Sequence, residues 1–467
     1  MINYTATYTD KYQLNMAQAY FLKGQKDNTA VFDYFFRKLP FNGGYAVFAG
    51  LEDLINILDG LRFDNNDIDF LKELGYHPNF IHYLKTFRFT GNVYSAAEGD
   101  LVFPLRPVLQ IEANIIEAQI IETLLLNILN FQTLVATKAS RMHQAAEGRI
   151  LIDFGLRRAQ GAGGYSASRA AFIGGFDGTS NVRAGRDYGI PVSGTMAHSF
   201  IESYDEELSA FNHFAESQPD DCILLVDTYD TLKSGLPNAI TVAKSMEERG
   251  LRLRGIRLDS GDLAYLAKEC RRRLDNEGLD YVKIAVSNQL DEYIIKSLLH
   301  QKAPIDLFGV GTSLVTGHPD AALDGVYKLS YANGKPRIKL SENVSKITLP
   351  SKKQVFRIID NDDKFIGADV VTMDDESDIK LMYHPMYPLK SLDLTNYNKE
   401  PLLQGVILNG LRVNNSQSLA RIAQYSRNRL ERLPVEYKRF DNPHIYKVGI
   451  SKNLQKERDR LIEEYKK

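Results

Sequence analysis

The chain has 467 residues, 44% of them hydrophobic and 25% charged, which is enough for two or three domains with large cores. Lys and Arg number 57 and Asp and Glu number 59, and this balance argues against a dedicated nucleic-acid-binding protein. The two cysteines, Cys222 and Cys270, stand 48 positions apart, which disfavours both a disulfide framework and a structural zinc site.

The first residues, MINYTATYTDKYQL, lack the basic region and apolar core of a signal peptide. The stretch Thr123–Thr137 is apolar, but it is only 15 residues long and contains Asn127, Asn130 and Gln132. It is therefore too short and too polar to cross a membrane, and we expect a cytoplasmic protein with no membrane association.

Residues 1–145 are expected to form an N-terminal α/β domain. Aromatic and β-branched residues predict a strand over Thr29–Leu39, and the segment LEDLINILDGL predicts an amphipathic helix. Leu101–Ala113 predicts strands interrupted by prolines. Apolar residues at helical spacing then predict a long helix from Asn114 to about Met142.

From about Arg149 onward, short apolar runs alternate with helical patterns. Runs that begin at Cys222, Leu253, Val282 and Ile305 are separated by 31, 29 and 23 residues, which is the spacing of βα units. We expect residues 146–345 to form a parallel β/α barrel. The active site of such a barrel lies at the carboxyl ends of its strands.

The C-terminal part, residues 346–467, begins near a basic, hydroxyl-rich segment and ends in the charged sequence NLQKERDRLIEEYKK. That last sequence predicts an exposed helix. Because the N-terminal strands need a partner layer, we expect this part to pack back on the N-terminal domain.

Several predicted strand ends carry groups suited to anions, although each also has a simpler interpretation. The glycines of FGVGTS, before Thr312, let backbone N–H groups converge on a phosphate, but they also suit an ordinary βα turn. The two carboxylates of RLDSGD suit Mg²⁺ or ribose hydroxyls. Alternatively, Asp259 or Ser260 caps the helix that follows, and both roles can hold at once.

Two further segments have the same ambiguity. In DFGLRRAQG, Phe154 beside Arg157 and Arg158 suits a flat anionic ring, or the phenyl ring is core and the arginines are solvated. In YGIPVSGTMAHSF, His198 stands among small residues as either a hydrogen-bonding group or a nucleophile. Glu202 lies four residues later and would orient the imidazole if the segment is helical.

Taken together, these segments resemble the nicotinate phosphoribosyltransferase family, in the order that family has them and over about three-quarters of the chain. The fold this implies is α/β with type II phosphoribosyltransferase architecture: an irregular (β/α) barrel plus an α/β sandwich formed by both chain ends. The matching segments are TDKYQLNMAQAY at Thr9–Tyr20, FGLRRAQG, GGFDGTSNV, GTMAHSF, RLDSGD, SNQLDE, FGVGTSL and VSKITLPSKKQVFR at Val344–Arg357.

The resemblance also implies an activity. Family members join nicotinate to phosphoribosyl diphosphate, forming nicotinate mononucleotide and pyrophosphate, with ATP as co-substrate and Mg²⁺ as cofactor. It implies a homodimer whose active site is shared between subunits. Because the chain has no cysteine after Cys270, the C-terminal cysteine cluster of some longer members cannot be carried over, and no zinc is expected.

Residue roles follow from the resemblance position by position. His198 matches the histidine that ATP phosphorylates, at the end of a predicted barrel strand, with Arg257 and Asp259 as catalytic partners. Mg²⁺ is assigned to Asp259 or Asp262, through water or diphosphate. The other implied positions are Tyr12 with Asp10, Phe154, Arg157, Thr179 and Ser180 for the substrates, and Asp262, Asn288, Gly309, Gly311 and Thr312 for ribose and phosphate.

Ser180 bears on the choice of substrate. Related nicotinamide enzymes resemble this segment but carry aspartate at the matching position. An aspartate would repel the carboxylate of nicotinate, whereas a serine hydroxyl can donate to it. The sequence therefore favours the acid over the amide.

Three alternatives stay open at the level of sequence. One is a phosphoribosyltransferase for nicotinamide or quinolinate. Another is a barrel aldolase or isomerase, which would need a Schiff-base lysine or an acid–base pair at the strand ends. The third is a nucleotide-sensing protein that binds without turnover.

Overall fold

The computed structural model describes residues 4–342, 346–387, 389–413 and 415–466. Two compact units make up the chain: Met1–Thr137 together with Ala322–Lys467, and Lys138–Ala321 between them. These limits precede the boundaries predicted at 145/146 and 345/346, and Val344 at the start of one family-like segment lies outside the described residues.

The first unit contains both chain ends. Its N-terminal elements are α1 (Lys11–Leu22), β1 (Thr29–Phe36), β2 (Ala46–Val47), α2 (Leu51–Gly60), α3 (Asn65–Glu73), α4 (Pro78–Leu84), β3 (Asn92–Ser95), β4 (Leu101–Val102), β5 (Leu109–Asn114), α5 (Ile115–Ile120) and α6 (Glu122–Ala145), which runs on into the second unit.

The second unit alternates strands and helices. Its elements are β6 (Ile150–Asp153), α7 (Gly163–Ile173), β7 (Gly178–Thr179), α8 (Val182–Tyr188), α9 (His198–Glu202), α10 (Glu207–Ser217), β8 (Ile223–Leu225), a π-helical turn (Thr231–Gly235), α11 (Leu236–Glu248), β9 (Gly255–Leu258), α12 (Leu263–Asn276), β10 (Lys283–Ser287), α13 (Glu292–His300), β11 (Leu307–Val310) and α14 (Thr312–Val315).

The chain then returns to the first unit. Its C-terminal elements are β12 (Gly325–Ala332), β13 (Lys335–Pro336), β14 (Lys353–Ile359), β15 (Phe365–Met373), β16 (Leu381–Tyr383), β17 (Ser391–Asp393), β18 (Asn398–Pro401), β19 (Gln404–Leu408), β20 (Leu411–Arg412), α15 (Leu419–Arg432), β21 (Lys447–Ile450) and α16 (Lys452–Lys466).

Sheets of the first unit mix strands from both chain ends. A seven-stranded sheet has the order β13-β12-β1-β5-β3-β19-β20, and a six-stranded sheet has the order β17-β16-β21-β15-β14-β18. β1 pairs antiparallel with both β5 and β12, which is why the chain after Ala322 belongs to this unit. Most side chains of β1 are buried, as expected for a central strand, whereas Thr29 is exposed and Phe35 is half-buried.

A buried ionic network in the first unit joins residues that are far apart in sequence. Arg357 donates to Asp100 Oδ1 at 2.7 Å and to Asp369 Oδ1 at 3.1 Å. Arg429 donates to Asp100 at 2.8 Å, and the Nε atom of Arg106 lies 2.7 Å from Asp369. Since these side chains are at most 2% exposed, each charge depends on its partners to offset the loss of hydration.

The second unit contains a six-stranded parallel sheet in the order β7-β6-β11-β10-β9-β8. Its strands confirm the apolar runs predicted from Arg149 onward, and their side chains are mostly buried, as parallel strands covered on both faces require. The strand and helix predicted from Thr29 and from LEDLINILDGL are also confirmed.

Two predicted elements need correction. The long helix from Asn114 is divided at Ile121 into α5 and α6. The stretch before His198 is not a barrel strand, because only Val192 forms a bridge, to Thr179, before the chain leaves the sheet. Pro191 has no N–H to donate, and the small residues after it do not continue the ladder.

Polar residues inside α6 have partners within the first unit. Asn130 accepts a hydrogen bond from Tyr34 at 3.0 Å, and Gln132 donates to Asp53 at 2.7 Å. In the part of the chain that the structure describes, no helix is both long and apolar enough to span a bilayer.

Candidate functional site

Polar residues gather at the carboxyl edge of the parallel sheet in the second unit. Asp153 ends β6, Thr179 ends β7, and Asp227 lies two residues beyond β8. The register pairs Leu225 with Arg257, so Asp227 and Asp259, each two residues farther on, come side by side. The edge therefore brings together groups that are separated by up to 106 positions in the sequence.

His198 is the first residue of the short helix α9, and its imidazole lies among groups from this edge. Its Nδ1 atom is 3.0 Å from the Thr228 hydroxyl. Its Nε2 atom is 4.0 Å from Asp227 Oδ1 and 3.9 Å from Asp259 Oδ2. Although α9 is helical, the imidazole is oriented by Thr228 and these two carboxylates, whereas Glu202 is exposed.

The two carboxylates beside His198 differ in their surroundings. Asp227 is 2% exposed, and its Oδ2 accepts from the Asp259 backbone at 2.9 Å and from Ser260 at 2.6 Å. Its Oδ1, the atom nearer His198, is buried and accepts no hydrogen bond. Asp259 is 30% exposed and accepts from the Ser287 hydroxyl. The site therefore has a fixed buried charge and a second charge open to solvent.

Arg257 adds a cation to the same edge. Its guanidinium donates to the Thr195 hydroxyl, while its buried Nε has no hydrogen-bond partner. Burial lowers the pKa of Arg257, as does the nearby cation of Arg157, whereas Asp259 and Asp227 raise it. Arg157 and Arg158 are exposed in a short 3₁₀ turn. Two guanidinium groups near one another are suited to an anion placed between them.

Asp153, Thr179 and Ser180 form one hydrogen-bonded corner. The Asp153 carboxylate accepts from the Gly155 backbone at 2.8 Å, the Ser168 hydroxyl at 2.7 Å and the Thr179 hydroxyl at 2.8 Å. Burial raises the pKa of Asp153, although these three donors lower it. The hydroxyl of Thr179 is thus buried and engaged, whereas Ser180 is only half-buried.

The aromatic ring of Phe154 lies against β11. A side chain at Gly309 would overlap this ring, so the structure needs glycine there. The ring is half-buried, which leaves part of it available to a ligand. Gly311 and the exposed Thr312 follow at the end of β11, where a methyl group at Gly311 would make only ordinary contacts.

The remaining predicted positions of this unit lie in the loops after β9 and β10. Asn288 and Gln289 both have left-handed backbones, with φ of 87° and 49°, and both are exposed. Such strain in non-glycine residues often accompanies a binding role. Asp262 caps α12 by accepting from the Tyr265 backbone at 3.1 Å, so the capping residue predicted as Asp259 or Ser260 was wrong.

Tyr12 and Asp10 belong to the first unit. Asp10 precedes α1 and accepts from the Thr123 hydroxyl at 2.7 Å. Tyr12 is 50% exposed on α1. Burial, with the carboxylates of Glu122 and Asp10, raises the pKa of Tyr12 above the ordinary value of a phenol, which is neutral near pH 7 in any case. The ring is therefore an accessible, uncharged aromatic surface.

Asp259 and Asp262 are the residues of this edge that could help to hold Mg²⁺. Among the described side chains, no group of three or more His, Cys, Asp or Glu could hold a metal by itself. Mg²⁺ commonly binds through one or two carboxylates together with substrate phosphates. The exposed oxygen of Asp259 fits that arrangement, and Asp262 retains a second oxygen beside its capping bond.

The sequence places four further groups of this edge, Asp153, Asp227, Thr228 and Ser287, at polar strand ends, but it assigns none of them a role in the site. The polar end of the run CILLVDTYD was noticed, but its contact with His198 depends on strand register and on the path of the loop before α9. A cavity of about 1050 Å³ lies elsewhere, in the first unit, and none of the predicted site residues lines it.

Comparison with known families gives matches along most of the chain. Residues 7–130 match the nicotinate phosphoribosyltransferase (NAPRTase) N-terminal domain, residues 150–376 the NAPRTase family, and residues 352–458 the nicotinate phosphoribosyltransferase C-terminal domain.

Individual relatives agree with these matches. Nicotinate phosphoribosyltransferase of Bacillus subtilis (strain 168) is 44% identical over 98% of this chain and 95% of its own length. The Caenorhabditis elegans protein of the same name is 38% identical over 96% of this chain and 91% of its own.

Solved structures have the same architecture. The crystal structure of human nicotinic acid phosphoribosyltransferase has a TM-score of 0.87 and 31% identity, covering 97% of this chain and 99% of that one. A nicotinate-nucleotide pyrophosphorylase from Pyrococcus furiosus has a TM-score of 0.72 and 27% identity, covering 91% and 95%. The fold class predicted above, an α/β barrel with an α/β sandwich made from both chain ends, is confirmed. The chain belongs to the nicotinate phosphoribosyltransferase family.

Proposed function

We propose that this protein is an ATP-coupled nicotinate phosphoribosyltransferase of NAD biosynthesis. It transfers the phosphoribosyl group of phosphoribosyl diphosphate to nicotinate, forming nicotinate mononucleotide and pyrophosphate. The observation that carries the proposal is the placement of His198 between Thr228 and the carboxylates of Asp227 and Asp259, at the carboxyl edge of the barrel sheet. Family membership supports the substrate class.

In the proposed ATP step, an imidazole nitrogen of His198 attacks the γ-phosphorus and ADP leaves with the electrons of the broken P–O bond. Positive charge develops on the ring as the bond forms. The carboxylates of Asp227 and Asp259, both about 4 Å away, stabilise that charge. Arg257 balances the phosphate oxygens from the same edge.

In the proposed transfer step, nicotinate stacks on Phe154, and its carboxylate meets Arg157 and the Ser180 hydroxyl. Asn288 and the turn from Gly309 to Thr312 face the 5′-phosphate, and Asp262 faces the ribose. Asp259 or Asp262, together with the diphosphate, would hold Mg²⁺, and the bound ion would supply charge neutralisation for the departing pyrophosphate. Holding nicotinate and ribose in line accounts for much of the expected rate enhancement.

Tyr12 and Asp10 are proposed to complete the site of a second subunit in a homodimer. The exposed, neutral ring of Tyr12 supports this role. A reducing, cytoplasmic location is proposed as well, and the two buried free thiols, Cys222 and Cys270, are consistent with it.

The decisive assay follows pyrophosphate release from phosphoribosyl diphosphate with nicotinate, nicotinamide or quinolinate, each with and without ATP. We expect turnover with nicotinate, stimulated by ATP. Turnover with only nicotinamide or only quinolinate would make that pyridine the substrate in place of nicotinate. No turnover with any of the three would reject the proposal that the protein is an enzyme.

His198→Asn tests the phospho-acceptor. We expect this variant to lose protein labelling by [γ-³²P]ATP and to uncouple ATP hydrolysis, while ATP-independent transfer survives. Unchanged labelling would place the acceptor elsewhere.

Ser180→Asp tests recognition of the acid. A second negative charge within roughly 4 Å of the nicotinate carboxylate costs about 1–4 kcal/mol, depending on local screening. We therefore expect the KM for nicotinate to rise at least about fivefold, with little change in the KM for phosphoribosyl diphosphate. An unchanged nicotinate KM would remove Ser180 from the site.

A further inference from the structure

We propose that Asp153 is a positioning residue that sets the affinity for the pyridine carboxylate without contacting it. This inference rests on the proposed function, because it concerns how Phe154 and Ser180 are held for nicotinate. Asp153 connects two strand ends of the second unit that bear these residues, β6 and β7.

Asp153 accepts hydrogen bonds from Gly155, Thr179 and Ser180, and we call this set of bonds the Asp153 clamp. Its Oδ1 accepts from the Gly155 backbone at 2.8 Å, which fixes the turn directly after Phe154. Its Oδ2 accepts from the Thr179 hydroxyl at 2.8 Å, and its own carbonyl accepts from the Ser180 backbone at 2.8 Å. One residue therefore sets the spacing between the proposed ring-stacking residue and the proposed carboxylate donor.

Ser168 of α7 adds a further hydrogen bond to the Asp153 clamp. Ser168 donates to Asp153 Oδ2 at 2.7 Å and lies 3.2 Å from the Thr179 hydroxyl. The Asp153 side chain is 1% exposed and Thr179 is fully buried, so no solvent can replace these bonds when one is removed. Phe154 and Ser180, in contrast, remain half-buried and accessible.

The role of Asp153 depends on accepting hydrogen bonds more than on charge. An asparagine would keep the acceptor for Gly155, and its amide could donate to the Ser168 or Thr179 hydroxyls, which can also accept. Alanine would leave the Gly155 N–H without a partner. It would also remove the acceptor shared by the Ser168 and Thr179 hydroxyls, which would keep only their longer bonds to the Gly164 carbonyl at 3.0 Å and to Ser168 at 3.2 Å. The two substitutions therefore separate hydrogen bonding from charge.

We expect Asp153→Ala to raise the KM for nicotinate by about tenfold or more, the scale expected for losing buried hydrogen bonds that hold two binding residues. The KM for phosphoribosyl diphosphate should stay within about twofold, and the preference for nicotinate over nicotinamide should fall. Asp153→Asn should have a nicotinate KM within about threefold of that of the unmodified protein.

Asp177→Ala is the matched control. Asp177 also bonds to β6, accepting from the Leu151 backbone at 2.9 Å, but at the opposite end of that strand. We expect its nicotinate KM to stay unchanged. Melting temperatures of all variants show whether a kinetic change reflects general loss of structure.

Equal changes in both KM values for Asp153→Ala, or no change in either, would overturn the proposal. So would an Asp153→Asn variant as impaired as the alanine variant. If Asp153→Ala does not fold, Ser168→Ala decides, because Ser168 bonds to Asp153 and is assigned no contact with substrate: a nicotinate-selective KM increase supports the clamp, and an unchanged KM refutes it. If the unmodified protein turns over no pyridine, the proposed function fails. Calorimetric binding of nicotinate to these variants then still tests the clamp, because equal affinities would refute it.

Discussion

Replacing Asp227 by asparagine removes the buried charge beside His198 with almost no change in shape. Its Oδ1 lies 4.0 Å from the imidazole Nε2, and the side chain is only 2% exposed. Two unit charges at this separation interact by about 1 kcal/mol in bulk water and by about 4 kcal/mol at an effective dielectric constant of 20. His198 is 38% exposed, which favours an intermediate value of about 2 kcal/mol.

A loss of about 2 kcal/mol corresponds to roughly a thirtyfold slower phosphorylation of His198. The assay is a single-turnover measurement of protein labelling by [γ-³²P]ATP, with ATP saturating. We expect Asp227→Asn to retain its fold, because one amide oxygen can still accept from the Asp259 backbone and Ser260.

Glu202→Gln is the matched control. Like Asp227→Asn it removes one carboxylate, but this carboxylate belongs to the helix that starts at His198. That carboxylate is exposed, and labelling should change by less than about twofold. Equal labelling rates for Asp227→Asn and the unmodified protein would refute the electrostatic role given to Asp227. A larger effect for Glu202→Gln than for Asp227→Asn would mean that the helix, not the strand edge, orients the imidazole.

Two further outcomes are expected. Gly309→Ala places a methyl group against the Phe154 ring, and overpacking of this kind costs about 1–3 kcal/mol. The nicotinate KM should rise in this variant. An unchanged KM with an unchanged melting temperature would contradict this, because it would show that the Phe154 ring can move aside without cost. In the first unit, burial raises the pKa of Asp100, but Arg357 and Arg429 outweigh it and lower the pKa overall. Its stabilisation is therefore present above the unfolded-state pKa of about 3.9 and lost as pH falls through the lower folded value. Urea unfolding at pH 7 should show Asp100→Asn destabilised by about 3–5 kcal/mol, with a smaller further loss on acidification than the unmodified protein; parallel pH profiles would contradict this.

The strands of the second unit were predictable because each is a continuous apolar run covered on both faces. β8 and β9 illustrate this: the runs starting at Cys222 and Leu253 contain Ile223–Leu225 and Gly255–Leu258. The order of the motifs predicted the family as well, since segments such as GTMAHSF and RLDSGD match the family's motifs residue by residue.

What the sequence could not reveal depends on contacts across the fold. The pairing of Leu225 with Arg257 brings Asp227 beside Asp259, and periodicity carries no information on that register. The same limit explains the error at His198. The segment before it was predicted to be a strand, yet the chain leaves the sheet after Val192 and begins a helix at His198. Asp262 caps α12 because that helix begins at Leu263. Asp259 and Ser260 bond instead to Ser287 and Asp227, which come from other strand ends.

The ionic network that ties Asp100 and Arg106 to Arg357, Asp369 and Arg429 has a consequence for synthesis on the ribosome. Asp100 emerges more than 250 residues before its guanidinium partners, and β1 emerges almost 300 residues before β12. The second unit, in contrast, is contiguous from Lys138 to Ala321. During translation the inserted unit can therefore fold first. The edge of β1 that pairs with β12 stays unpaired until the carboxyl-terminal strands have been synthesised.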